Sequence, residues 1–458
     1  MELFVGHWLG LAASLAVVAV LGVIASRRVK TADDFALAGK SSGMTMVAGT
    51  IIGTIVGGAA TIGTAQLAFK VGLAAWWFTL GCGLALLFLG GFYAKPLRDS
   101  GLATVPEFLV VNYGKEAGPL CSLTSSAGIF FSLVANVLSA VPLIMALLQF
   151  SAVQAAGLVL LLTLVYVFLG GVWGTGLVGV FKTVLILASL GTAGVVAWQG
   201  VGGLDGLAVS LPSGPWFSLV GRGWSVDLGS ALSVVVGVLS TQTYIQAVYG
   251  AKDARAARRG VLLAAFITLP VGLLGVLVGL FMRVHHPDIT PIDALPLFVL
   301  RYLPHWLGGL AIGGLLLASI GSAAGLILGM ATMLTRDIFA RFLPIRPGYS
   351  ELRLTRVIVF VVAVSAVAVT LANLGSLVLD WNYLSMGLRG AGTFFPLSAA
   401  VFWPGRIKSR WAMLAIAGGA LTSLGWNFFL PQCGDPLYSG LLVSAGLLLA
   451  GVRRQRAA

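Results

Sequence analysis

Long apolar runs separated by short polar connections follow one another along the whole chain. About 20 apolar residues in an α-helix cross the hydrocarbon layer of a bilayer, so such runs can be counted as membrane spans. The pattern predicts about thirteen spans, at residues 5–26, 44–68, 72–94, 118–148, 152–172, 177–198, 229–250, 260–282, 306–334, 354–373, 378–403, 411–429 and 437–452. We therefore predict an all-α polytopic membrane protein.

The amino-acid composition supports a membrane protein and argues against a nucleic-acid partner. Of the 458 residues 58% are hydrophobic and 9% charged, and the mean hydropathy is +1.00, beyond the range of soluble domains. The net charge of +13 is scattered over short connections and forms no basic face, so we predict no nucleic-acid partner. Membrane lipid is the expected surrounding, and the pattern sets no oligomeric state.

The basic residues predict the topology. Of the 28 Lys and Arg, 22 fall in one set of alternate connections and the tail, and four fall in the other set. Positive residues are retained on the cytoplasmic side, so the amino end is predicted outside and the carboxyl end in the cytoplasm. The membrane that we expect is a plasma membrane, the inner membrane of a bacterium. The first span is expected to stay uncleaved, because its positive charges follow it.

Few groups within the spans carry chemistry. No acid, base, nucleophile or metal set lies at membrane depth, and no catalytic motif is present, so no enzyme is predicted. Cys82, Cys121 and Cys433 are isolated, which predicts neither a disulfide framework nor a zinc site.

Two ionisable residues do fall inside spans, at a cost of roughly 2.5–3.5 kcal/mol each on insertion scales. Lys182 lies near the cytoplasmic end of the sixth span, where its long stem either snorkels to the interface or serves the interior. Arg389 lies deeper, and either pairs with Asp380 or lines a vestibule.

Glycines repeat every four residues in two spans and predict close helix packing. The two ridges are Gly49, Gly53 and Gly57 in the second span and Gly321, Gly325 and Gly329 in the ninth. The pair Gly57-Gly58 also loosens its helix, which frees carbonyls to face a cavity. Hydroxyl and amide side chains on these spans, the fourth and the seventh together indicate a solute pathway.

In combination, these segments resemble the sodium:solute symporter family from about Arg27 to Arg410. The resemblance rests on "KTADDFALAGKSSG", "GTIIGTIVGGAATIGTAQLAFKVGLAAWW", "VPEFLVVNYG", the "GG" of "YVFLGGVWG", "AKDARAARRG" and the stretch ending in "LTRDIF". It implies a LeuT-like core of 5+5 inverted repeats, spans 2–6 and 7–11, with the second and seventh spans broken. The single transporter domain, 1–458, then divides into 1–43, a first repeat 44–198, a second repeat 229–403 and terminal spans 404–458.

The resemblance also implies a function and a site. It implies a symporter that moves a small organic solute by alternating access, driven by a sodium gradient, with no other cofactor. The sodium positions carried over are the carbonyls of Gly53, Val56 and Ala318 and the hydroxyl positions at Gly321 and Ser322. The substrate-binding positions that we predict are Thr54, Gly57, Gly58, Thr61, Asn136, Val234, Gly237, Gln242 and Arg389. Val234 and Gly237 stand where sugar-transporting relatives have Asn and Tyr, so an organic anion, an amino acid or a similar nutrient is expected rather than a sugar.

The chain departs from the family at the cation site. Gly321 supplies no hydroxyl, and Val178 and Gly179 stand where the family usually has Thr-Asp. Lys182 lies one helical turn beyond Gly179 on the same face. Two alternatives follow: the Lys182 ammonium replaces sodium, giving proton-coupled or uncoupled transport, or sodium is kept and water replaces the lost ligand. A more distant rival is a solute-binding membrane sensor, which we do not expect because Ala458 closely follows the last span and sensors usually carry a signalling domain.

Overall fold

The computed structural model describes residues 3–26, 40–339, 349–430 and 434–453, with only the backbone of 21–26, 169–178, 213, 349 and 350. In these ranges the secondary structure is helical, with two isolated β-bridges and no strand. The helices are α1 Val5–Ser26, α2 Met44–Ile55, α3 Thr64–Val71, α4 Trp77–Phe88, α5 Ala94–Asp99, α6 Val105–Tyr113, α7 Ala117–Leu148, α8 Ala152–Gly200, α9 Gly203–Ser210, α10 Ser213–Trp216, α11 Trp224–Ser240, α12 Gln242–Tyr249, α13 Ala254–His285, α14 Ala294–Tyr302, α15 His305–Met333, α16 Tyr349–Ala372, α17 Val378–Phe402, α18 Ser409–Phe429 and α19 Pro436–Ala450. Short π-helices, Ala59–Gly63, Leu89–Tyr93 and Leu334–Phe339, and 3₁₀ turns, Gly72–Trp76 and Pro291–Asp293, join some of them.

Every predicted span coincides with helix. Eight helical stretches of the described residues are long and apolar enough to cross a membrane, and four shorter apolar stretches accompany them; some of these stretches join neighbouring helices, and α8 contributes to both sets. The fifth and sixth predicted spans both lie in α8, a helix of 49 residues, so the connection predicted at 173–176 is helical. That connection contains neither a proline nor a charged residue, and nothing in it removes a backbone donor.

Two helices are broken, as predicted for the second and seventh spans. α2 ends at Ile55, because Val56 has ψ 68°, and the chain resumes as helix after Gly58. We call residues 56–58 the first break. In the seventh span Thr241 is extended, with φ −87° and ψ 118°, between α11 and α12, and forms the second break.

The breaks are held by different neighbours. α2 packs on α8 and α13, whereas α11 packs on α17 and α4. α7 packs on α17 beside the second break and also contacts the π-helix Ala59–Gly63, which follows the first break. One helix therefore reaches both breaks.

The glycine ridges have different outcomes. A Cβ added at Gly179 of α8 would lie 2.8 Å from the Gly49 carbonyl oxygen, which confirms close packing along the first ridge. In the second ridge a Cβ at Gly325 would meet no atom of the described residues within 4 Å, and one at Gly321 would approach only Tyr166 among them, with its hydroxyl at 3.6 Å. Within the described chain nothing therefore packs closely on Gly325, contrary to the prediction.

Short helices occupy several connections between the predicted spans. The connections at 199–228 and 283–305 contain α9, α10 and α14. "KPLRDSGLATVPEFLVVNYG" forms α5 and α6, and α6 begins at a capping box between Thr104 and Glu107. The connection after the first span includes residues 27–39, which lie outside the described residues.

Candidate functional site

The first break releases backbone groups that a continuous helix would use. The Gly57 amide donates to the Ile55 carbonyl at 2.8 Å, so the Gly53 carbonyl does not receive the helical bond that it would otherwise accept. The Gly58 amide donates instead to Asn136 Oδ1 of α7, at 3.2 Å. Side chains from neighbouring helices therefore complete the hydrogen bonding of this break.

The Gly53 carbonyl faces a buried ammonium. Lys182 of α8 is 2% exposed, and its Nζ donates to the Gly53 oxygen. The same Nζ lies 3.4 Å from the Ala318 carbonyl oxygen and 3.2 Å from Ser322 Oγ, both on α15. Ser322 Oγ also donates to the Gly53 oxygen, at 3.2 Å. Lys182 thus joins three helices through acceptors that bind cations, and does not snorkel to an interface.

Three of the five carried-over cation positions meet at this ammonium: Gly53, Ala318 and Ser322. Val56 is buried and directly follows the last residue of α2, but its carbonyl is not among the acceptors of Lys182 in the described chain. Gly321 faces the Tyr166 hydroxyl instead. The side chain of Val178 lies outside the described residues.

Small residues allow α7 and α15 to close on the first break. A Cβ at Gly57 would lie 2.6 Å from Ser322 Oγ and 2.7 Å from Asn136 Oδ1. A Cβ at Gly58 would lie 1.7 Å from Ser139 Oγ, which donates to Ser319 Oγ at 2.9 Å. Glycine is required here by space, since Gly58 itself has ordinary helical φ and ψ.

The second break faces a buried guanidinium. Arg389 of α17 is 1% exposed, and its Nη1 donates to Thr241 Oγ1 at 2.9 Å. Its Nη2 lies 2.9 Å from Ser385 Oγ, 3.3 Å from Ser132 Oγ and 3.2 Å from Met386 Sδ. Its Nε donates to the Ser385 carbonyl at 3.1 Å. All of these acceptors are uncharged.

Asp380 is not the partner of Arg389. The described chain contains three ion pairs, Lys95–Asp99, Arg222–Asp227 and Arg336–Glu351, and Arg389 belongs to none of them. The basic groups that act on Asp380 are Arg222 and Lys70, at the end of the bundle that is predicted to face outside. Nine residues of helix separate Asp380 from Arg389, which is about 13 Å along the axis, and that is too far for a pair.

One helix joins the two breaks. On α7, Asn136 serves the first break and Ser132 contacts Arg389 at the second. Asn136 Nδ2 donates to the Ser132 carbonyl at 2.8 Å, and Ser132 Oγ donates to Asn382 Oδ1 of α17 at 2.9 Å. A polar network therefore runs from the Gly58 amide of the first break, through Asn136 and Ser132, to Arg389 at the second break.

The remaining predicted substrate positions either pack against neighbouring helices or bond backbone groups. Thr54 Oγ1 donates to the Thr50 carbonyl, and Thr61 Oγ1 donates to the Gly57 carbonyl, both at 2.9 Å. Val234 packs against Gly81 of α4, and a Cβ at Gly237 would lie 2.6 Å from Met386 Cβ. Gln242 accepts from the Val105 amide at 2.8 Å. Val234, Gly237 and Gln242 therefore hold helices and the α6 start in place.

Sequence reasoning missed four side chains of the network: Ser139, Ser319, Asn382 and Ser385. Helical spacing could have found them. Ser132, Asn136 and Ser139 follow one face of α7, and Asn382, Ser385 and Arg389 follow one face of α17, at intervals of three and four residues. A polar stripe on an otherwise apolar span is the readable signal.

A cleft of about 70 Å³ lies at the end of the bundle predicted to be cytoplasmic. Its lining comes from α6 and its start, α12, and the end of α15, and includes Thr104, Glu107, Gln242, Thr332 and Met333. Gln242 directly follows Thr241, the residue that Arg389 contacts. One lining residue of the cleft is therefore the chain neighbour of a residue in the network.

The fold and site define a class: polytopic helical membrane proteins in which two broken helices flank a polar interior. The profile of the sodium:solute symporter family matches residues 35–419, and the chain belongs to this family.

Individual relatives are distant. The chain is 25% identical over 363 residues to a high-affinity choline transporter 1 of Caenorhabditis elegans, covering 72% of this chain and 62% of the relative. It is 24% identical to a sodium/glucose cotransporter of Vibrio parahaemolyticus, and the match covers 88% of this chain and 80% of the cotransporter. Against a substrate-bound Na⁺-coupled sialic acid symporter the TM-score is 0.81 at 18% identity, and the match covers 98% of this chain and 97% of the symporter. The chain thus spans about three fifths of the choline transporter, and shares its LeuT-like fold with the sialic acid symporter.

Proposed function

We propose that this protein is a secondary active transporter that carries a small organic solute across a membrane by alternating access. The observation that supports this most is the polar network that joins two broken helices in the interior of the bundle. Broken helices expose backbone groups only where they are buried in protein or line a cavity. Family membership favours a sodium gradient as the driving force, in a bacterial inner membrane with the amino end outside. No enzymatic activity is proposed.

Lys182 favours a second candidate, in which transport is proton-coupled or uncoupled from sodium. Its ammonium bonds the Gly53 and Ala318 carbonyls and Ser322 Oγ, which are positions that the family resemblance assigns to sodium. A lysine is a compact charge with three donors and can occupy such an oxygen cage. Loss of its proton would remove the charge as the release of an ion does.

Uptake by proteoliposomes distinguishes the candidates. Purified protein is reconstituted, and uptake of the solute is measured under a sodium gradient and, separately, a proton gradient. Sodium coupling predicts accumulation only with the sodium gradient. The second candidate predicts accumulation without sodium and loss of proton-driven uptake in Lys182→Gln. Strict sodium dependence that survives Lys182→Gln would overturn the second candidate.

A further inference from the structure

We propose that Arg389 at the second break binds the carboxylate of the transported solute, so that the solute is an organic anion. This inference rests on the proposed transport function and names its substrate class. It begins from the charge of the site. Arg389 is 1% exposed, and no ion pair in the described chain includes it. The titratable groups that act on it are Cys82 and Tyr244, which are both uncharged at neutral pH.

The neighbours of Arg389 do not need its charge. Each hydroxyl that it contacts already has an acceptor of its own: Ser385 donates to the Gly128 carbonyl, Thr241 to the Gly237 carbonyl and Ser132 to Asn382 Oδ1. An apolar side chain at position 389 would leave these bonds in place. A buried charge without a counter-charge is costly, and residues of this kind in membrane proteins mark ligand pathways.

The guanidinium also has donor capacity left for a ligand. It carries five N–H groups, two of them on Nη1, and Nη1 has a single acceptor in the described chain, Thr241 Oγ1. One acceptor of Nη2 is the Met386 sulfur, which is a weak acceptor. A carboxylate presents two oxygens in the geometry that Nη1 and Nη2 match, and takes the unused donor together with the one directed at sulfur.

The second cation reinforces the selection. The ammonium of Lys182 is a second positive charge in the bundle interior, and no ion pair in the described chain includes it. Two buried positive charges without a counter-charge favour an anion in a low-dielectric interior and disfavour a cation such as choline, although choline transporters are among the relatives.

Thermal unfolding of the purified full chain tests the proposal with matched probes. The potassium salts of acetate, pyruvate, lactate, glutamate and N-acetylneuraminate are each compared with the corresponding neutral amide or methyl ester, and glucose and choline are included. We expect at least one carboxylate to raise Tm, while its neutral counterpart, glucose and choline do not. Arg389→Gln is expected to weaken that binding about 100-fold, since a charge-assisted bidentate contact is lost.

Two further variants keep the test decisive. Arg283→Gln removes an arginine that lies over Phe69 and Trp216, away from the network, and is expected to keep wild-type binding. Arg389→Lys retains the charge if the glutamine variant does not fold, and is expected to bind the same carboxylate about tenfold more weakly. The proposal is overturned if no carboxylate raises Tm, if choline or glucose alone does, if the effect survives Arg389→Gln, or if Arg389→Lys loses the preference for the carboxylate over its neutral counterpart.

Uptake separates this inference from the proposed function. A carboxylate that binds through Arg389 but is not taken up by proteoliposomes contradicts transport and leaves the anion site standing. A neutral or cationic solute that is taken up contradicts the anion site and leaves transport standing.

Discussion

The two breaks carry one buried cation each, but the cations have different kinds of partner. At the first break, Lys182 bonds two backbone carbonyls and one hydroxyl. At the second break, Arg389 bonds three hydroxyls, a sulfur and a carbonyl of its own helix. Carbonyls accept only, so a cage of carbonyls requires a donor or a cation. Hydroxyls turn to other acceptors, so a group of hydroxyls requires neither.

This difference assigns the two charges to different tasks. Lys182 completes a site that its neighbours leave electron-rich, as a bound metal ion would. Arg389 brings a charge that its neighbours do not require, and that charge remains available to a ligand. The charge of Lys182 thus serves the acceptors around it, and the charge of Arg389 is the one that we propose a solute binds.

The largest effect expected concerns Lys182→Met. Methionine has a similar volume and no charge, and Ser322 still donates to the Gly53 carbonyl. We expect solute uptake to fall by at least about 100-fold, equivalent to about 2.7 kcal/mol, because the cation of the first break is lost. Tm should not fall, since burial of the ammonium is itself costly. Uptake by the variant within threefold of the wild type would contradict a role for this charge in transport.

Restoring the family pattern at the first break should create a sodium response. In Lys182→Gln/Gly321→Ser the ammonium is removed and a hydroxyl is returned to α15. The serine has room within the described chain, because a Cβ at Gly321 would approach only Tyr166 there, with its hydroxyl at 3.6 Å. Sodium binding at 100 times its Kd would add about 2.7 kcal/mol of stability.

The measurement is the difference in Tm between NaCl and KCl, with Lys182→Gln alone as the control. A double variant that responds to sodium no more than the wild type would show that the carbonyl cage does not bind sodium.

Much of this fold follows from the sequence, because a lipid environment permits little besides helices. Apolar runs located the spans, and Gly57-Gly58 located the first break. The second break, at Thr241, came only from the family resemblance, since no glycine marks it. At the site, the meeting of Lys182 with Gly53, Ala318 and Ser322 was expected from the family resemblance alone, because it depends on how α2, α8 and α15 pack. Hydropathy contains no information on that packing. For the same reason Gln242 was predicted to bind the solute, although it holds the start of α6.

Crowding at the first break is expected to be the next largest effect. Gly58→Ala places a methyl group 1.7 Å from the present position of Ser139 Oγ, which must move together with its bond to Ser319. Overpacking of this kind costs about 1–3 kcal/mol. Gly325→Ala is the matched control, because no atom of the described residues lies within 4 Å of the added carbon, and it should gain about 0.5–1 kcal/mol from helix propensity.

Thermal unfolding of both alanine variants gives the comparison. Rescue of Gly58→Ala by Ser139→Gly would confirm that the clash is local. Equal stability of Gly58→Ala and Gly325→Ala would show that α7 does not press on the break.

The smallest effect compares the two breaks through the side-chain amides of Asn136 and Asn382. Asn136 accepts from the Gly58 amide, a backbone donor that cannot turn elsewhere, so Asn136→Ala strands a buried N–H and should cost about 1–3 kcal/mol. Asn382 accepts from the Ser132 hydroxyl, which can rotate toward another oxygen, so Asn382→Ala should cost about 0.5–1 kcal/mol. Both losses are read from the unfolding midpoint in detergent. If Asn382→Ala costs as much as Asn136→Ala, the second break is as rigidly bonded as the first, and the hydroxyls around Arg389 are not free to rearrange around a ligand.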